Sequence, residues 1–144
     1  MAENLYKVPD ELIEISELIH EDSEDAEPRA AMDFDLIVLM GQYDPSIQLA
    51  LAYSDISYME SQADTDYKDR FPPNMLSQMH IYQVLYREKE IEGAEFQGAL
   101  SYLDTDYVVV KKTYPNMPYL YSQGLTWMAE TDTYVILKLE GASG

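Results

Sequence analysis

Apolar residues recur at three- and four-residue intervals over roughly the first hundred positions, then in short β-branched runs, so the pattern predicts helices first and strands last. Pro9-Asp10-Glu11 opens a helical stretch in which Val8, Leu12, Ile15 and Ile19 share one face and Glu14 and Glu17 lie opposite. Residues 21–28, Glu-Asp-Ser-Glu-Asp-Ala-Glu-Pro, break that period with self-repelling charge and read as a loop or linker. The helix before them is free to dock separately, on its own chain or on another. Residues 30–40 fit two patterns. Phe34 to Met40 suits a buried strand, whereas Ala30, Phe34, Ile37 and Gly41 fall at helical spacing between Pro28 and a terminal glycine, and the helical match is slightly the better.

Asp44-Pro45 has the form of a helix start, an N-cap acid before a first-turn proline. Leu49, Ala52, Ile56, Met59 and Ala63 then form a seam suited to another helix. Pro72-Pro73-Asn74 starts the next helix, expected to be central, with Met75, Leu76, Met79, Tyr82, Leu85 and Tyr86 as its apolar positions. Gly93 stops or kinks it before a shorter helix through Phe96, Leu100 and Leu103. From Asp104 the period changes: Tyr107-Val108-Val109-Val110, Leu125 to Met128 and Thr133 to Leu139 read as strands. The expected fold class is α+β, a small helical bundle followed by an antiparallel β hairpin or meander. The expected organisation is an acidic N-terminal extension over residues 1–28, helix plus linker, and a single α+β domain over 29–144.

Charge sharpens that division. The 144 residues carry 27 acids against 9 bases, a formal −18, and residues 1–35 hold 12 of the acids with only Lys7 and Arg29 against them. Such a field repels nucleic acid and anionic lipid and favours basic partners, so direct nucleic-acid binding is not expected. Glu21, Asp22, Glu24 and Asp25 are the densest part of this acidic surface. With no cysteine, disulfides, thiolate metal sites and a cysteine nucleophile are excluded. No apolar run approaches the ~18–20 residues that span a bilayer, and the acidic start is the reverse of a signal peptide's, so a soluble protein not secreted by that route is expected, with no membrane partner.

Candidate chemistry is sparse. Asp64-Thr65-Asp66-Tyr67 recurs as Asp104-Thr105-Asp106-Tyr107, and alternate carboxylates suit a hard cation. The further ligands of a calcium loop are missing, however, and Asp and Thr also favour turns, which is the reading taken. His20 and His80 lack a partnering motif, and Met40-Gly41-Gln42-Tyr43-Asp44-Pro45-Ser46 lacks the glycines and lysine of a phosphate loop. No catalytic residue, metal ligand or cofactor is therefore assigned, and no enzyme is expected.

Partner binding is better represented. Thirteen tyrosines suit half-wet interfaces, or else a core whose hydroxyls reach the surface. Tyr114, Tyr119, Tyr121 and Trp127 lie in or beside a loop stiffened by Pro115 and Pro118, which suits docking and self-packing equally. With Leu49, Ile56 and Met59 of the helical seam they form the candidate partner-binding set.

The segment from Phe71 to Glu90, with its Phe-Pro-Pro-Asn-Met-Leu start, tyrosines at 82 and 86 and Arg87-Glu88 near its end, resembles a helix of tailed-bacteriophage head–tail adaptor proteins. That resemblance implies a non-enzymatic virion component, a head–tail connector that bridges subunits as a ring or larger assembly, located in the virion or the host cytoplasm. The expectation is thus a structural or assembly protein whose partners are protein subunits, as a homo-oligomer or larger assembly. The alternative is an acidic nucleic-acid mimic that inhibits a basic DNA- or RNA-binding enzyme through residues 10–27. Adaptation to high salt would also explain so acidic and lysine-poor a surface.

Overall fold

The computed structural model describes residues 4–139, with side chains described from Asp10 onward, so the expected place of Val8 on its helix face lies outside the described side chains. Helix α1 spans Asn4–Asp22 and begins before Pro9. Strand β1 (Arg29–Met32), helix α2 (Phe34–Tyr43), the two-residue strand β2 (Gln48–Leu49) and helix α3 (Tyr53–Gln62) follow. Next come α4 (Pro73–Leu85), α5 (Glu95–Tyr102), β3 (Tyr107–Lys111), the short helix α6 (Met117–Ser122), β4 (Leu125–Glu130) and β5 (Tyr134–Leu139). The class is α+β, as the period change predicts.

The sheet differs from a C-terminal hairpin standing alone. Five strands run in the order β2-β1-β3-β5-β4, with β1 parallel to both β2 and β3 and the β3–β5 and β5–β4 pairs antiparallel. Residues 30–40 satisfy both of their patterns in turn: Arg29–Met32 is a strand and Phe34–Tyr43 a helix, with Asp33 as the joint. Asp44-Pro45 ends a helix where a start was expected, because the Asp44 amide donates to the Met40 carbonyl and its carboxylate accepts from the Ser46 amide just beyond the helix. Leu49 accordingly lies in β2 and not on the helical seam, and α3 begins at Tyr53. Pro73 opens α4 as expected, and Gly93 and Gly124 occupy turns with positive φ of 58° and 83° that suit glycine.

Val108, Val109 and Val110 of β3 and Tyr134 to Leu137 of β5 are buried without alternation, so both faces of the sheet are covered. Helix α1 covers one of them. Glu11 accepts from the Thr133 amide and the Thr131 hydroxyl at the start of β5, and Asp22 accepts from Lys138 and Tyr107 near its end. The helix advances ~1.5 Å per residue and the strand ~3.3 Å, so the interval from Glu11 to Asp22 and that from Thr133 to Lys138 both span about 17 Å. Leu12, Ile15 and Ile19 join the same core as the strands. The helical part of the expected extension is therefore strapped to the sheet and belongs to the body.

Candidate functional site

The aromatic loop is mostly turned inward, which corrects part of the expected partner-binding set. Tyr114 is buried and donates its hydroxyl to the Val84 carbonyl, and the half-buried Tyr119 donates to Ile91 at 3.0 Å. Residues 117–122 form α6, so the prolines shape a helix that closes over its own chain. Tyr121 and Trp127 remain exposed. In the seam, Ile56 and Met59 are buried in the core and Leu49 packs against it, so these residues are spent on internal packing. Several tyrosines act the same way: Tyr86 donates to the Met32 carbonyl and Tyr107 to Asp22, tying helices to the sheet.

Of the acidic set, Glu21, Glu24 and Asp25 are exposed, Asp25 also accepting from the Glu27 amide in a local turn, whereas Asp22 is held by Lys138 and Tyr107. Burial raises the Asp22 carboxyl, yet the bonds from Lys138 and Tyr107 outweigh it and hold the group below its ordinary range.

Among the described residues, a cluster that resembles catalytic machinery is formed by Ser16, His20, Asp44 and Ser46. Asp44 Oδ2 accepts from Ser16 Oγ at 2.6 Å and lies 2.8 Å from His20 Nε2, while Ser46 Oγ donates to Asp44 Oδ1 at 2.5 Å and lies 3.0 Å from the same Nε2. A nucleophile relay needs the serine on one ring nitrogen and the carboxylate on the other. Here both compete for one nitrogen, and the serine proton is directed at the carboxylate. The cluster instead locks α1 to the end of α2. Burial again raises Asp44, but the bonds from Ser16, Ser46 and His20 prevail and hold it at about 2.

The repeated Asp-Thr-Asp segments act as turns. Thr65 bonds the Gln62 carbonyl, Thr105 the Leu100 carbonyl, and Asp64 pairs with Arg87 at 2.9 Å. Among the described residues, no three imidazole or carboxylate side chains converge as a metal site would require. His80 sits near Glu95 at 3.5 Å, its basicity lowered by burial against that carboxylate's pull.

What the structure does bring together is the outward face of α2. Leu36, Ile37 and Met40 enter the core, leaving Phe34, Val38, Leu39 and Tyr43 each 38–49% exposed on adjacent helical rows. Both ends of this helix are fixed. At its start the Asp33 carboxylate accepts from the Asp35 amide, and Lys111 of β3 pairs with Asp35 at 2.5 Å; at its end stands the Asp44 cluster.

A groove lies on each side. One, of about 230 Å³, is lined by Phe34, Tyr53, Ile56, Ser57 and Glu60, between α2 and α3. The other, of about 300 Å³, is lined by Leu12, Leu39, Gln42 and Tyr43, between α1 and α2. The elements that carry the two grooves are mostly acidic: residues 10–62 contain 14 acids and a single Lys or Arg, Arg29, and Lys111 of β3 stands at the start of α2. Arg29 is turned to the Leu103 carbonyl at 2.8 Å. The sequence pattern does not reveal this ridge, because residues 34–40 match strand and helix alike and local period does not say which side of a helix faces outward. A helix apolar on every side, as Phe-Asp-Leu-Ile-Val-Leu-Met is, must leave some of that surface outward unless it is wholly enclosed.

No helix of the described residues is long and apolar enough to cross a membrane. No family model, no curated protein and no solved structure matches this chain.

Proposed function

We propose that this chain is a non-enzymatic binding subunit that docks another protein through the outward face of α2. The observation that carries this reading is a helix anchored at both ends that holds Phe34, Val38, Leu39 and Tyr43 in water. Contiguous exposed apolar surface rimmed by charge is characteristic of interaction sites, and a pre-formed one loses little entropy on docking. The acidic surround favours a basic protein over a second copy, because two copies meeting here would press carboxylates together with few bases between them.

The connector role implied by residues 71–90 would be one instance of such a subunit. Those residues include α4, whose Met79, Ile81, Tyr82, Val84 and Leu85 are buried, so that resemblance concerns the core and leaves the docking surface to α2. The test is photo-cross-linking in the source cell with benzoylphenylalanine in place of Leu39, and in place of Ser101, exposed on α5, as control. A discrete adduct with one protein from position 39 and none from 101 supports docking; equal or absent labelling at both positions opposes it.

A nucleic-acid mimic is the second reading. Its support is the row Asp10, Glu14, Glu17 and Glu21, all exposed along one side of α1. Competition with DNA for a basic nuclease tests it, using a variant with all four neutralised; inhibition that survives neutralisation removes the mimic.

A further inference from the structure

Resting on the docking reading above, we infer that the groove between α2 and α3 seats an arginine side chain of the partner, with the paired rings of Phe34 and Tyr53 as its aromatic wall and Glu60 as its counter-ion. The two rings pack on each other, their centroids 5.9 Å apart and their planes inclined at 43°, and present one exposed aromatic surface, with Tyr53 60% and Phe34 42% exposed. Ile56 lies at the base, 8% exposed, and Ser57 and Glu60 complete the lining.

Three properties select the occupant. At about 230 Å³ the space is smaller than ordinary small-molecule pockets and suits one side chain. Ring faces attract a cation, and a planar guanidinium stacks on them more readily than an ammonium because it is flat and weakly hydrated. Glu60 makes no ion pair among the described residues, so a purely apolar occupant would strip water from that carboxylate without compensation. An arginine answers both demands, its stem on the rings and its fork on the carboxylate.

The groove across α2 has different chemistry. Leu12, Leu39, Gln42 and Tyr43 include no charged group, so that side takes an apolar residue. The partner that fits α2 therefore carries an arginine and an apolar side chain that straddle the helix.

The test uses N-acetyl-arginine methylamide as probe, with its uncharged citrulline counterpart, titrated into isotope-labelled full-length protein and followed by NMR. Saturable shifts at Phe34, Tyr53 and Glu60 are expected, with citrulline, and arginine on Glu60→Gln, each binding about fivefold or more weakly. The Tyr53→Ala variant, altered at an exposed wall, should weaken arginine likewise. Unsaturable shifts spread over exposed acids such as Glu17 and Glu21, or citrulline binding as tightly as arginine, overturn the seat. Cross-linking from position 39 separates the two readings. An adduct whose yield is unchanged by Glu60→Gln leaves docking and removes the arginine; no adduct while arginine still saturates the groove removes docking and leaves the seat.

Discussion

The Tyr107 hydroxyl donates to Asp22 at 2.6 Å, joining the last residue of α1 to the first residue of β3. Lys138 of the neighbouring strand reaches the same carboxylate oxygen at 2.8 Å. Asp22→Ala leaves the Tyr107 hydroxyl without its acceptor, whereas Tyr107→Phe leaves Asp22 still paired with Lys138. The first should destabilise by about 2 kcal/mol and the second by about 1 kcal/mol. Urea unfolding checks the order. A helix that served only as a tether would leave both midpoints where they were.

That contact also shows where the sequence was legible and where it was not. Leu12, Ile15 and Ile19 announce a buried helical face, and the valines of β3 announce a strand, because both depend on local period alone. That α1 lies along β5 depends on Glu11 meeting Thr131, 120 residues away, and no local period encodes such a pair. Asp44-Pro45 misled for a related reason. An acid before proline caps a starting helix or ends one according to what its carboxylate finds, and here it finds Ser16 and His20 of another element. The exposed apolar face was hidden in plain composition: the apolar surplus of α2 is visible in the sequence, but which three of its residues face inward is set by α1 and the sheet.

Asp44 should govern the acid limb of stability. Its carboxyl is held at about 2 in the folded chain, below the ordinary value of 3.8, so its contribution is complete above pH 4 and is lost as pH falls towards 2. Asp22, also lowered, acts in the same direction. Asp44→Asn should cost about 1–2 kcal/mol at pH 7, allowing for partial exposure, and should flatten the decline between pH 4 and pH 2. Thermal unfolding across that range measures it; parallel pH profiles for the variant and the parent would contradict the assignment.

The alkaline limb belongs to the tyrosines. Burial is the leading cause that lifts Tyr86, Tyr107, Tyr114 and Tyr134 well above the usual 10, with nearby carboxylates adding to it at each. A raised folded value stabilises fully below pH 10 and loses that contribution as pH rises beyond it. Ultraviolet titration should therefore show tyrosines that ionise only together with loss of the helical circular dichroism signal. Their full ionisation in a still-folded protein would mean that the hydroxyls are not tied as described.

The outward face of α2 should be dispensable for folding and required for docking. Leu36 is completely buried on the same helix, so Leu36→Ala should cost about 2–5 kcal/mol. Val38 and Leu39 are 40% and 38% exposed, and glutamine is a good helix former, so Val38→Gln with Leu39→Gln should change stability by only about 0.5–1 kcal/mol. With the photo-reactive group moved to the exposed Gln42, the same double change should abolish the partner adduct. The comparison is decisive because a structural role and a binding role predict opposite pairs of outcomes. Large destabilisation with an intact adduct would make these side chains part of the core. Unchanged stability with a lost adduct makes them the contact surface of a protein whose partner reaches it across a field of carboxylates.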